Sequence, residues 1–587
     1  MSNLPGTMKW WGWGDESIEF DIDAHPSLWP YLSSIFKLPD AGKTATPVNL
    51  ESIVLNTQKL NPDFVNEVLS RLPPDTGSSG ILCDSKLERL THAFGKSLRD
   101  LWRVRRGIVP YAPDYVAYPA SHEQVCLLVE LAVKHGVHLI PFGGGSNIAG
   151  CIELARPTNR AVVSVDMRLM NRLLSLDAES GVARFEAGAM GPHLEGELNR
   201  AGFTLGHFPD SFRFSTIGGW VATRSAGMQS DRYGKIEDMV VSLRMATPAG
   251  TIETRNVPKA SNGIDVNQVC IGSEGTLGII TEIRVQVHRQ PERNETYGYL
   301  FPDFASGAHA MLACQRAHCV PVLTRLNDPA RTALSFAYRA RQSYVQHQAG
   351  RLVKLYAGKV RGMDLSTACL MLAGFEGDRE SFRRDRRRAE AIFRKFSAVA
   401  LGASPGRSFQ KGKYDFPYLR DFLMDRNVLS DVSETCTVWS NLLPLYEASR
   451  RAIQTAIDAE GTPGLAGCHI SHSYHAGASL YFTFGFVAKA GDEMGQYLRI
   501  KKAAEDSFLE NGATLSHHHA VGYEHLPWLE RDISPAGLTA IEALKSGLDP
   551  QGVMNPGKLV RGFGFEKWGL GKESERTSSG ANGRGNA

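Results

Sequence analysis

Four stretches of this chain combine glycine with small hydroxyl residues in a way that could hold phosphate. The first is Pro141, Phe142, Gly143, Gly144, Gly145, Ser146 and Asn147, placed directly after an apolar run. Consecutive glycines let backbone N–H groups approach a ligand without side chains in the way, and such nests bind phosphate oxygens. No Gly-Lys-Ser/Thr follows, and the spacing is not that of a dinucleotide fingerprint, so both of those loops are excluded. Alone, the triplet reads equally well as a tight surface turn. Three more stretches shift the balance. Pro209, Asp210 and Ser211 lead through Ser215 and Thr216 to Gly218 and Gly219. Ala222, Thr223, Arg224 and Ser225 follow at once. Gly272, Ser273, Glu274, Gly275, Thr276, Leu277 and Gly278 then place three glycines and two hydroxyls around one carboxylate, before an apolar strand. In this order within one α+β domain, the set reads as a cradle of backbone donors for a pyrophosphate and an isoalloxazine ring.

A second group of residues could move protons or bind anions. His517, His518 and His519 are consecutive. Successive residues on a strand face opposite sides, so regular structure would not bring all three to one ion, and no metal is expected. Tyr481 lies in an aromatic-rich run and by composition alone reads as a core tyrosine. Arg325 and Arg420 read as surface charges or as partners of Asp328 and Asp421. Arg383–Arg388 reads as a solvated helix face, with contact to an anionic membrane surface as the alternative. Trp10, Trp11 and Trp13 read as a structural plug.

The elements that must position these groups follow from periodicity. At 587 residues the chain exceeds one hydrophobic core, so two or three lobes are expected. A net charge of +3 gives no argument for nucleic acid. Nine scattered cysteines without a C-x-x-C pair argue against a disulfide framework and a structural zinc site. No apolar run spans a bilayer, and neither a secretory nor a peroxisomal signal is visible, so a cytoplasmic location is expected. Residues 1–110 read as helical and irregular, with a helix from Asn61 to Leu72 ended by two prolines. From 111 to 290 strands and helices alternate: a strand at Tyr115–Tyr118, a helix at Glu123–His135, then strands at Val137–Phe142, Val162–Val165 and Val182–Ala187. Residues 291–520 read as a second, substrate-side domain with a charged helix at Arg379–Phe396 and a strand at Leu480–Val487. Residues 521–570 return to the first domain through the turn-rich Asp549–Lys558, and Gly571–Ala587 reads as a loose tail.

These stretches resemble the FAD-binding domain of the vanillyl-alcohol-oxidase type, and the wider chain is similar to the alkyldihydroxyacetonephosphate synthases of ether-lipid synthesis. The likeness extends from Met8-Lys-Trp-Trp-Gly-Trp-Gly14 to about Leu559. It is most specific at Pro209–Ser211, Gly234–Asp238, Phe375–Asp378 and Ser516–His519. The resemblance implies an α+β fold, with a two-subdomain FAD-binding domain of the p-cresol-methylhydroxylase type and an α+β cap built on an antiparallel sheet. It implies non-covalent FAD, since no histidine precedes the glycine loop where some relatives tether the flavin. It also implies exchange of the acyl chain of acyl-dihydroxyacetone phosphate for a long-chain fatty alcohol, without net redox change. On this likeness Tyr481 is the catalytic acid/base, His517, His518 and His519 are active-site groups, and Arg325 and Arg420 bind substrate. A homodimer and a peripheral membrane contact are expected as well. The related 2-hydroxy-acid dehydrogenases carry a metal-binding Gly-Glu-His triplet where this chain has the histidine run, and His518 replaces the Glu. The rival reading, a flavin dehydrogenase or oxidase of a 2-hydroxy acid or phenol, rests on Asp549-Pro with Asn-Pro-Gly-Lys558. That motif resembles the terminal motif of those enzymes. Ala520 stands where glycine usually follows the histidines, a departure expected to matter little.

Overall fold

The computed structural model describes residues 4, 6–38, 42–59, 61–72, 81–154, 158–340 and 355–561. The two prolines expected to end the first helix, and the tail from Gly571, lie outside the described residues. The fold is α+β in two lobes. In the first lobe, β1 (Leu82–Cys83), β2 (Tyr115–Ala117), β3 (His138–Phe142) and β4 (Val162–Asp166) form a sheet in the order β1-β2-β4-β3. The β2, β4 and β3 strands run parallel, and β2 and β4 are buried throughout. Helix His122–His135 makes the crossover from β2 to β3. Ser121 caps it by accepting the Gln124 N–H, and Gly136 ends it in the left-handed region at φ 65°. The β3 strand therefore delivers the triple-glycine turn at its C-terminal edge.

A second sheet completes this lobe. Its region contains β5 (Leu173–Asp177), β6 (Val182–Glu186), β7 (Phe203–Thr204), β8 (Val240–Thr247), β9 (Gly250–Glu253), β10 (Ile279–Gln286) and β11 (His288–Arg289). The order is β5-β6-β10-β8-β9, antiparallel, with β7 and β11 forming a separate pair.

The second lobe is one antiparallel sheet of seven strands. These are β12 (Arg293–Phe301), β13 (Leu323–Asn327), β14 (Cys369–Gly377), β15 (Val399–Gly402), β16 (Val428–Val438), β17 (Gly464–Ser473) and β18 (Gly477–Val487). Their order is β15-β12-β14-β13-β17-β18-β16. One face is dry: Phe482, Phe484 and Phe486 alternate along β18 into a core shared with helices Trp439–Ala459 and Glu493–Glu510. The other face looks toward the first lobe. Helices Leu28–Phe36, Pro329–Ala337 and Phe416–Met424 close part of it, the first two against β17 and the third against β16. The chain then returns: the Asn555 N–H donates to the Leu139 carbonyl at 2.9 Å, and Met554 bridges Leu139 on β3. Among the described residues, no helix is long and apolar enough to cross a membrane.

Candidate active site

The four glycine-rich stretches converge on one cavity between the lobes. Pro141 to Asn147, Pro209 to Ser211, Ser215, Thr216, Gly218, Gly219, Ala222, Thr223, Ser225, Ser273, Glu274, Gly275 and Gly278 all line it. Their packing revises why glycine is needed. A Cβ on Gly144 would fall 1.8 Å from the Phe214 carbonyl oxygen, and one on Gly143 would fall 2.4 Å from the Thr216 hydroxyl. The turn lies flat on the 214–216 segment, and ligand approach is only half of the constraint. Thr216 caps helix Ile217–Ala222 by accepting the Gly219 N–H at 3.2 Å, so a helix N-terminus also opens beside the glycine turn.

Four expected cofactor residues do not face the cavity. Arg224 turns outward to Gln268, and its φ of 52° belongs to the turn itself. The Gly272 N–H bonds to the Val221 carbonyl, and the Thr276 hydroxyl donates to the Ser273 carbonyl. Leu277 is packed in the hydrophobic core of the lobe. All four build the wall from behind. Glu274 does line the cavity, yet its carboxylate accepts the Val521 and Gly522 N–H groups at 2.8 Å each. It ties the first lobe to the loop that follows the histidines.

At the far end of the cavity lie Tyr481 and the histidines. Three adjacent strands place Glu434, Tyr481 and His469 in one register row across β16, β18 and β17. The Tyr481 ring stands 4.8 Å from that of His469, 5.9 Å from His518 and 5.3 Å from His519. Burial raises the Tyr481 phenol well above its usual range and Asp210 adds to the shift, while Arg325 and Arg331 oppose it without prevailing. Neighbouring cations therefore do not make Tyr481 a phenolate, and it is held as an acid. Burial also holds His517, His519, His469 and His472 well below the usual imidazole range, so all four are neutral near pH 7.

The histidine run is a bend and not a strand, so the alternation assumed for it does not apply. His517 donates or accepts at Tyr474 Oη (2.6 Å) and at His518 Nδ1 (2.9 Å), while His519 turns to Tyr481. A register shift between Ile470 and His472 on β17 aims His472 at the same cluster. His472, His517 and His518 have ring nitrogens within 4.8 Å of one another and are the residues that could take an ion.

Glu434, which sequence reasoning missed, organises the loop. It is buried and accepts the Ser516 hydroxyl at 2.7 Å and the N–H groups of His517, His518 and His519 at 2.8 to 3.0 Å. Burial works against its charge, but His518 and the donors converging from the histidine loop outweigh it and hold the carboxyl well below the usual range. Lys235 fastens the same loop from the first lobe, donating to the His517 carbonyl at 2.7 Å. Nothing in the sequence marks Glu434, because its role arises from strand register.

Arg325 and Arg420 line the cavity too, and neither has a carboxylate partner among the described residues; the expected partners Asp328 and Asp421 bind backbone and Lys9 instead. Trp13 also lines it, with its backbone N–H donating to the Asp421 carboxylate at 2.8 Å, so the tryptophan-rich start locks onto the helix that carries Arg420. The Asp549–Lys558 motif lines nothing. Asp549 caps its own turn at Val553 and Met554, Asn555 donates to the carbonyls of Cys151 and Glu274, and Lys558 donates to that of Glu153. It is a structural pin, and it does not discriminate between substrates.

A model of an FAD-binding domain matches residues 113–255, and a model of the C-terminal domain of FAD-linked oxidases matches residues 290–559. The chain is 41% identical over 577 residues to alkyldihydroxyacetonephosphate synthase of Dictyostelium discoideum, covering 94% of this chain and 93% of that one. It is 37% identical to the enzyme of that name from Trypanosoma brucei brucei, covering 94% and 92%. The chain belongs to the alkyldihydroxyacetonephosphate synthase family. A solved alkyldihydroxyacetonephosphate synthase structure superposes with a TM-score of 0.79 at 38% identity, covering 94% of this chain and 99% of that chain. Membership makes the protein a flavoenzyme that binds FAD, and the cradle described above fits that cofactor: small residues at contact, a helix N-terminus, and hydroxyls facing inward.

Proposed function

We propose that this protein exchanges the acyl chain of acyl-dihydroxyacetone phosphate for a long-chain fatty alcohol, forming the ether bond and releasing a fatty acid. The observation that carries this reading is a single cavity. It joins the FAD cradle to Tyr481 and four histidines, takes in arginines without carboxylate partners, and continues into an apolar end lined by Leu32, Phe36, Leu334 and Leu423. Held in the cradle by the glycine-rich turns, FAD would supply an electron-poor ring edge. The chain supplies the rest. Tyr481, held protonated, gives a proton at its phenol oxygen, and the neutral imidazole of His519 beside it can take one, with His518 stacked alongside. Arg325 and Arg420 bind phosphate through their planar donors. The helices over β17 and β16 keep water from the chain.

FAD is held without a covalent link, so acid precipitation should leave the yellow colour in the supernatant. The functional test mixes purified holoenzyme with palmitoyl-dihydroxyacetone phosphate and hexadecanol. Fatty acid release with ether formation is the expected result. Bleaching of the flavin near 450 nm by lactate, glycolate or vanillyl alcohol, with no fatty acid from the lipid, would overturn it.

A further inference from the structure

Arg331 is a buried cation with no carboxylate partner among the described residues, and it lies where the cavity changes character. Helix Pro329–Ala337 is capped by Asp328, whose carboxylate accepts the Arg331 N–H at 2.8 Å. The same carboxylate accepts the Cys468 N–H at 2.9 Å and the Tyr446 hydroxyl at 3.3 Å, and it makes no ion pair with the guanidinium. Arg331 is 7% exposed, and its Nε and Nη1 have no hydrogen-bond partner among the described residues. Its guanidinium stands 5.1 Å from the Phe416 ring centre. Burial, with Arg325 adding to it, pulls its pKa down to about 10, which still leaves it charged near neutrality. Buried charges are normally paired and buried donors are normally bonded. A lone guanidinium lining a cavity therefore marks the seat of an anion that the protein itself does not supply.

The strand beneath it shows which anion. Leu465, Gly467, His469 and Ser471 alternate along one face of β17 into the cavity. His469 is level with Tyr481. Arg331 lies over Gly467, where a Cβ would stand 2.9 Å from its Cγ, so it is one inward step, roughly 7 Å, from the Tyr481 level. The next step is Leu465, at the apolar end with Gly485, where a Cβ would stand 3.2 Å from the Phe36 ring. Arg325 lies on the opposite side of Tyr481: Asn327 on β13 pairs with His469 and Leu326 with Ile470, which brings Arg325 to the level of Ser471. Two unpaired arginines thus flank the reacting level, one toward the histidines and one at the head of a hydrocarbon channel. An anion bound at the head of that channel with its chain inside it is a fatty carboxylate.

We propose that Arg331 binds the carboxylate of the long-chain fatty acid released in the exchange, leaving Arg325 for the phosphate; this rests on the function proposed above. The test compares wild-type holoenzyme with Arg331→Gln, Arg331→Lys and Arg325→Gln, using palmitate and glycerol 3-phosphate as probes in calorimetric titrations. Arg331→Gln is expected to weaken palmitate about tenfold with glycerol 3-phosphate within about twofold, Arg331→Lys to recover part of it, and Arg325→Gln to show the reverse pattern. Ligand-free Arg331→Gln should melt no lower than wild type, because it removes an unpaired buried charge. Unchanged palmitate affinity in Arg331→Gln, or an equal loss for both probes, overturns the assignment. If the wild type makes ether normally in that case, only Arg331 is reassigned. If the wild type neither makes ether nor binds palmitate, the functional reading falls with it.

Discussion

The two ends of the cavity are built on opposite principles. The FAD cradle is made of backbone: turns, a helix N-terminus and glycines pressed against neighbouring carbonyls, with Ser273 Oγ buried there without a partner among the described residues. The reacting end is made of side chains projecting from strands, helices and the histidine loop, and it leaves buried polar atoms open. Arg331 Nε, Arg420 Nε, His469 Nδ1 and His472 Nδ1 are all without partners among the described residues. A site that must receive and release substrates keeps its donors free, and that costs stability.

Substitutions at either end should break this contrast in different ways. The largest effect is expected from Tyr481→Phe, which should lower the exchange rate by about 10²–10⁴-fold while the flavin spectrum and melting temperature stay as they are. Loss of FAD in that variant would show that the two ends are not separable. Gly144→Val should do the reverse. With the Phe214 carbonyl in the way, it should lose about 1–3 kcal/mol of stability or more, and bound FAD with it, as read by denaturant unfolding and flavin fluorescence. Glu434→Gln should cost about 2 kcal/mol at neutral pH and slow turnover without displacing FAD. The depressed Glu434 carboxyl contributes its stability above the ordinary carboxyl value of 4.5 and loses it as pH falls through the lower folded value. The variant should therefore unfold less steeply on acidification than wild type, and parallel acid transitions would count against an ionised Glu434. The smallest effect is a gain: Ala520 has φ 75°, in the left-handed region, so Ala520→Gly should stabilise by about 1 kcal/mol in urea unfolding.

The cradle was legible in the sequence because each of its motifs is contiguous. Pro141 to Asn147 and Pro209 to Gly219 carry their meaning in neighbouring residues, and the strands and helices around them were placed to within a few residues. The reacting end was legible only at Tyr481, the histidines, Arg325 and Arg420, and there through resemblance. Glu434, His469 and Arg331 come together through the pairing of β16, β18 and β17 and through a helix laid across a strand glycine. No spacing along the chain encodes that meeting. One reading failed for a local reason: the histidines bend where alternation was assumed; Ala520 beside them takes a left-handed conformation that the sequence did not signal.

The pin at the end of the chain also has a kinetic side. Asn555 closes on the Cys151 carbonyl 404 residues upstream, and on Glu274 beside the cradle. The cradle wall beside Glu274 therefore gains its last contacts from residues made after both lobes.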